Sequence, residues 1–229
     1  MKHLTNKGAL TIILSSCNYI FAQRRERVIR THRGEPVPQR PFTHRVRASD
    51  FVPESYDNRT ERRLSALEGQ FADEAAFRTM IAHGDPLLYE VYEFGAERVP
   101  GGLLSGVSIL HSGRVGEEYF MTKGHFHQLL ETAESYYCLA GRGFMVMETP
   151  EGDTAVAELG PGTALYVPPR WAHRSVNIDD SDDLITHFVY PATAGHDYGT
   201  IESRGFRKLV VSREGRTMVV DNPKWLGSR

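Results

Sequence analysis

About ten short apolar or alternating segments, parted at close intervals by turn residues, restrict this chain to an antiparallel β-barrel or a double-sheet jelly roll. The segments are LLYEVYEF, LLSGVSIL, EEYFMT, ESYYCLA, GFMVMET, TAVAEL, ALYVP, RSVNI, DLITHFVY, FRKLVV and TMVVD. Each is too short for a globular helix, and turn sequences such as Thr149–Asp153 (TPEGD) and ELGPG ending at Gly162 punctuate them. One stretch breaks the pattern: RRLSALEGQFADEAAFRTMIAHGDP starts acidic at Asp73 and Glu74. It then places Phe77, Met80 and Ile81 at helical spacing and stops at Gly84 and Pro86. This predicts one short helix on the outside of the β structure, with order beginning after Pro53.

With 229 residues, 40% of them hydrophobic, the chain can bury one substantial core. A formal net charge of -2 gives no general attraction to nucleic acid or acidic membranes. No apolar run reaches the length that spans a bilayer. Cys17 and Cys138 supply neither a disulfide framework nor a Cys-x-x-Cys pair, which points to a reducing compartment. Residues 1–52 read as an extension to a single domain over 53–229. Lys2, Lys7 and the apolar ALTIIL give Met1–Gln23 a superficial likeness to a secretory signal, interrupted by Ser15, Ser16 and Asn18. Between Gln23 and Arg47 arginines gather around Pro36, Pro38 and Pro41, as in a solvated linker. The extension is expected to be flexible, with a targeting segment as the alternative.

Two stretches carry chemistry. TKGHFHQLLETAESYYCLAG holds His125, His127, Glu134 and Gly141, and PGTALYVPPRWAHRSVN holds Gly162, Pro168, His173 and Asn177. Residues two apart on a strand face the same side, so His125 and His127 aim both imidazoles at one point inside a barrel. Glu134 and His173, from neighbouring strands, complete a set of ligands. Three imidazoles and a carboxylate suit one divalent first-row ion such as iron, manganese, nickel or zinc, and leave positions open for a substrate.

These stretches resemble the cupin signatures: His-x-His, a later glutamate separated by six residues from a glycine, then glycine, five residues, proline, and onward to histidine and asparagine. GHFH, AGRGFMVMETPEGD, PGTALYVPPRWAHRSVNI, YPATAGHDYGTI and VVDNPKW further resemble the cupin-type phosphoglucose isomerases, as do RRLSALEG and DPLLYEVY. The likeness runs from about Arg59 to Trp225. It implies a mainly β cupin double-stranded β-helix, a jelly-roll barrel with a short N-terminal helical and extended segment. The implied activity is aldose–ketose isomerisation of glucose 6-phosphate and fructose 6-phosphate, with one divalent ion per subunit, iron(II) first. Many cupins place the glutamate closer to the His-x-His, which would select Glu131; only Glu134 keeps the six-residue gap to Gly141. Arg170 stands where many cupins carry glycine, and Ser108 where the family is expected to show threonine.

Such a reaction needs charge stabilisation, a proton shuttle and a phosphate anchor. The resemblance nominates Glu134 as the base of a cis-enediol route, and a metal-assisted hydride shift in which Glu134 only orients oxygens stays open. Tyr136 lies two residues past Glu134 on the same strand face, and Tyr190, His196 and Tyr198 sit in or after the last barrel strand. The resemblance makes Tyr136 and His196 catalytic partners and Tyr190 and Tyr198 substrate contacts. It places the phosphate against Ser108, Thr122 and Gly124, with Lys123 reading as a surface charge. Two other classes share this ligand set: a metal-dependent cupin dioxygenase, and a non-catalytic cupin that binds a sugar phosphate. Apolar sheet edges and the likeness to two-fold cupins predict a homodimer. A phosphorylated metabolite as substrate predicts a cytoplasmic location, with secretion as the lesser alternative. Neither a nucleic acid nor a membrane is expected as a partner.

Overall fold

The computed structural model describes residues 41–95 and 98–225. Nearly every alternating segment becomes a strand. In chain order the elements are β1 (Asn58–Arg63), a 3-10 turn (Leu64–Leu67), α1 (Glu74–Gly84), β2 (Leu87–Phe94), β3 (Leu103–Leu110), β4 (Arg114–Val115) and β5 (Glu118–Tyr119). They continue with β6 (Phe126–His127), β7 (Glu134–Ala140), β8 (Gly143–Glu148), β9 (Thr154–Leu159), β10 (Ala164–Val167) and β11 (Ala172–Asn177). The chain closes with β12 (Leu184–Pro191), β13 (His196–Asp197), α2 (Gly199–Arg204), β14 (Lys208–Arg213) and β15 (Arg216–Asp221). Among the described residues no helix is long and apolar enough to cross a membrane. The expected flexible or targeting extension lies outside the described residues up to residue 40.

The helix forms where its caps predict. Asp73 accepts a hydrogen bond from the Ala76 amide at 2.9 Å, and Phe77 is buried with its ring centroid 6.0 Å from that of Phe71. Three details differ from the sequence reading. RRLSALEG opens with β1, because Asn58 to Arg63 pairs antiparallel with β2. EEYFMT is divided between β5 and a single bridge, Met121 to Val176, since the chain there leaves one partner for another. Order is present before Pro53, and Val46, Phe51 and Val52 pack on the outer face of β2, β3 and β12 against Tyr92, Phe94, Val107, Ile109 and Ile185. The compact unit runs from Thr43.

Two sheets face one another as a jelly roll. The larger has the strand order β1-β2-β3-β12-β7-β10. Opposite it, β9, β8 and β11 are continued by the bridges Met121–Val176 and His125–His173, and then by β6 paired with β13. Alternate residues of each strand point inward. Away from the polar site these are apolar, among them Leu104, Cys138, Met145, Met147, Leu184 and Phe188. A sheet of β15, β14, β5 and β4 lies beside them.

Two buried polar side chains fix the loops that flank the barrel. The Arg174 guanidinium is stacked 4.2 Å from the Phe206 ring centroid and donates to Gln70 Oε1 at 2.7 Å and the Lys123 carbonyl at 2.9 Å. Burial brings its pKa down to about 10. Asn177, with no exposed surface, donates to the carbonyls of Leu110 and Asp182 at 2.9 Å each and accepts from the Asp179 amide at 2.9 Å. That asparagine therefore ties β3 and the β11–β12 turn together. Asn177→Ala leaves two carbonyls without this donor and is expected to lower stability by about 2–4 kcal/mol, read as a shift of the urea midpoint.

Candidate metal centre and substrate cavity

Backbone pairing brings the two histidine stretches together. The His173 amide donates to the His125 carbonyl at 3.1 Å and the His125 amide to the His173 carbonyl at 3.3 Å. His127 ends β6, His173 lies near the start of β11, and Glu134 opens β7 on the facing sheet. One donor atom from each of His125, His127, Glu134 and His173 lies within 4.8 Å of every other. Glu134 Oε2 stands 3.0 Å from both His127 Nε2 and His173 Nε2. Glu131, by contrast, is exposed and stands 3.5 Å from Arg170. The left-handed φ of Arg170, 71°, explains why glycine suits that position in related patterns.

The rings are oriented from behind. His127 Nδ1 faces the Thr132 carbonyl at 3.1 Å and the Thr132 hydroxyl oxygen at 2.8 Å, and that hydroxyl donates to the Leu129 carbonyl at 2.6 Å. His173 Nδ1 faces the Trp171 carbonyl at 3.3 Å. A carbonyl only accepts, so the proton sits on Nδ1 and the Nε2 lone pair turns to the cluster. His125 Nε2 and His173 Nε2 are buried with no hydrogen-bond partner among the described residues; His173 Nε2 is near Glu134 without being aligned to it. Orphaned imidazole nitrogens beside a buried carboxylate are the donor set a divalent cation fills, and the residues present fit one.

Electrostatics agree with that. Burial holds the His125 imidazole well below its ordinary range, with repulsion from His173 and His196 adding to the effect. Burial pushes the Glu134 carboxyl up, yet the attraction of His173, His127 and His125 outweighs it and leaves the group below the usual carboxylate range. A neutral imidazole and an ionised carboxylate are the forms that bind metal.

The cluster opens into a cavity of about 200 Å³. Of the residues singled out from the sequence, Ser108, Thr122, Gly124, His125, Glu134, Tyr136, His173, Tyr190, His196 and Tyr198 all line it. The His196 ring centroid is 4.3 Å from that of His125, and 5.3 Å and 5.7 Å from those of Tyr190 and Tyr198. The Tyr136 ring centroid is 5.6 Å from that of His173. Burial, reinforced by Glu134, pushes the Tyr136 hydroxyl well above its ordinary range, and burial lowers His196. Thr122 Oγ1 accepts from the Ser175 amide at 3.0 Å, which leaves its own proton free to donate. Gly124 takes φ +76°, and a Cβ there would come within 2.5 Å of Phe206. Lys123 is committed elsewhere, to an ion pair with Glu202 and to the Tyr198 ring face.

Sequence reading missed Arg62, Tyr89, Glu93, Arg98 and Ser175, which also line the cavity. Arg62 and Arg98 form no ion pair among the described residues. Burial pushes the Tyr89 hydroxyl up to about 12. The signal available was period two: Tyr89, Val91 and Glu93 continue one inner face of β2, as Thr60 and Arg62 do on β1.

A family model described as Glucose-6-phosphate isomerase (GPI) matches residues 61–225, a span holding every residue of the metal cluster. The chain belongs to that family. It is 49% identical over 164 residues to the glucose-6-phosphate isomerase of Thermococcus litoralis and 50% identical over 164 residues to that of Pyrococcus furiosus. Each alignment covers 72% of this chain and 86% of the relative. A solved oxalate decarboxylase chain from Bacillus subtilis overlaps 48% of this chain and 26% of its own length, at 19% identity and a TM-score of 0.37, too loose a likeness to bear on the family.

Acid should weaken the metal-free protein. Below the ordinary histidine value of 6.5 the unfolded chain takes up protons at His125 and His196 that the fold resists. Further down, Glu134 keeps its charge in the fold below the ordinary carboxyl value of 4.5, at which the unfolded chain binds a proton. In both ranges the unfolded state binds more protons, so stability falls with pH. Melting temperatures in chelator are expected to drop steadily from pH 7 to pH 5; a flat profile would show that these side chains are not buried together.

Proposed function

We propose that this chain interconverts glucose 6-phosphate and fructose 6-phosphate, with His125, His127, Glu134 and His173 holding one divalent metal ion, iron(II) before manganese, nickel or zinc. The observation that carries the reading is a buried three-histidine, one-carboxylate cluster opening directly into a cavity lined by hydroxyls and arginines, in a chain of the glucose-6-phosphate isomerase family. When bound, the ion would supply positive charge that polarises the substrate's carbonyl and neighbouring hydroxyl, which acidifies the hydrogen on the carbon next to the carbonyl.

The chain's own residues carry the other steps. Glu134 is the base, taking the proton from one substrate carbon and returning it to its neighbour. His196 and Tyr136 move protons at the sugar oxygens: a neutral imidazole accepts at one nitrogen and donates from the other. Tyr190 and Tyr198 hold the sugar. Ser108, Thr122 and the Gly124 amide hold the phosphate, and Arg62 and Arg98 add the cationic charge a phosphate dianion requires. Residues 53–229 carry the isomerase site, and residues 43–52 belong to the same compact unit, packing on its outer face.

The test is fructose 6-phosphate conversion by chelator-stripped protein, alone and after anaerobic addition of each divalent ion, in heavy water. Activity is expected to vanish on stripping and return with a metal, iron(II) giving the most, and deuterium is expected on the product carbon. Product still free of deuterium after prolonged equilibration, when return of the same proton by Glu134 would have given way to exchange, would favour a hydride shift and reduce Glu134 to orienting oxygens. Glu134→Gln is expected to lower kcat at least about 100-fold while sugar-phosphate binding persists. Stoichiometric metal without turnover would overturn the isomerase reading in favour of a sugar-phosphate binder; oxygen uptake would favour a dioxygenase.

We assign the active form as a cytoplasmic homodimer. Tyr137, Tyr166 and Leu103 are exposed on or beside the larger sheet, an apolar set that a second copy would cover. Sedimentation should give twice the chain mass; a monomer at micromolar concentration would sink the dimer, and cell fractionation checks the location.

A further inference from the structure

Among the described residues Glu93 is the one carboxylate lining the cavity apart from Glu134, and the steps above give it no task. It sits on the inner face of β2, opposite Gly106 of β3, and Phe188 of β12 is opposite the same glycine from the other side. Tyr190 follows two residues along that face. A Cβ on Gly106 would collide with the Phe188 ring and the Tyr92 carbonyl. The missing side chain on the central strand is what lets Glu93 and Tyr190, two strands apart, meet. The Tyr190 hydroxyl donates to Glu93 Oε1 at 3.0 Å, and Asn58 Nδ2 donates to Glu93 Oε2 at 2.7 Å, so the carboxylate is held at both oxygens.

A tyrosine hydroxyl has one proton to give. Donated to a carboxylate, that proton is in a charge-assisted bond and is not readily exchanged for a neutral partner. We infer that Glu93 is a positioning residue for substrate recognition: it fixes Tyr190 as an acceptor, so that Tyr190 meets the sugar with its lone pairs and selects a substrate hydroxyl that can donate to them. This rests on the isomerase reading of the same cavity. Glu93 acts through Tyr190 and makes no contact with the metal cluster.

The test is a double-mutant cycle of Glu93→Ala and Tyr190→Phe in the full metal-loaded chain, read by KM and kcat for fructose 6-phosphate and by calorimetric Kd for the same compound. Glu93→Ala is expected to raise KM and Kd about tenfold, with kcat within about twofold. In the Tyr190→Phe background the same substitution should change either constant by less than about twofold. Glu93→Gln keeps an acceptor in place with little change of shape, and its KM should stay within about threefold of the wild type. Equal factors in both backgrounds, or no change in KM and Kd on Glu93→Ala, would overturn the inference. A wild-type chain that binds fructose 6-phosphate without converting it would end the isomerase reading and leave the calorimetric cycle to decide this one. Absence of any sugar-phosphate binding would overturn both.

Discussion

Reciprocal backbone hydrogen bonds between His125 and His173 are the junction on which the site depends. They lie at the end of a run of pairing that begins with Asn177 to Phe120 and continues through Ser175 and Thr122. Because the period of a strand is two, this register places His125, His173 and Ser175 on the cavity side together. A slip of one residue would turn every one of these side chains away. Arg174, between two cavity residues, is driven to the opposite side, where its guanidinium binds the Lys123 carbonyl and holds the Thr122–Gly124 backbone against the cavity. The cluster and the Thr122–Gly124 loop are thus built from one pairing.

Such a site is costly to bury. Three imidazoles, a carboxylate and several hydroxyls occupy an interior whose other layers are apolar, and two imidazole nitrogens have no hydrogen-bond partner among the described residues. The surrounding structure offsets this where it can: Thr132 and Trp171 satisfy the outward nitrogens of His127 and His173, and Asn177 closes the carbonyls at the barrel end. Within the cluster, the nitrogens that stay unsatisfied, His125 Nε2 and His173 Nε2, lie beside Glu134. This is the physical argument for a cation there, independent of any relative.

The cavity lining combines the imidazoles and carboxylate of the cluster with hydroxyls and with Arg62 and Arg98. A ligand carrying both neutral oxygens and an anion matches that set of groups. The Asn58–Glu93–Tyr190 chain lies along one wall, and its directionality follows from donor count. Glycine at position 106 makes that wall possible.

Strand alternation, the cap at Asp73 and the spacing of His125, His127, Glu134 and His173 are local patterns, and each was legible because one period or one short motif determines it. The choice between a barrel and a jelly roll, α1 and the four cluster residues follow from them, as does the inward face of Tyr136 two residues past Glu134; the jelly roll itself and the site roles of Tyr190, His196 and Tyr198 came from the resemblance to the cupin isomerases. Arg62, Tyr89, Glu93 and Arg98 were not legible as site residues, although period two on β1 and β2 hinted at some of them. Nothing local says which face of those strands looks onto the cluster, since that depends on β1, β2 and β3 continuing the sheet begun by β12 and β7. Lys123 shows the converse: beside the His-x-His it is near in sequence, yet Glu202 on α2 captures it. The sequence by itself determined the periodicity, the caps and the ligand types, because these depend on neighbours a few residues away. Only the tertiary structure decided which distant groups share the cavity, because strand order and register, not chain distance, set which side chains meet.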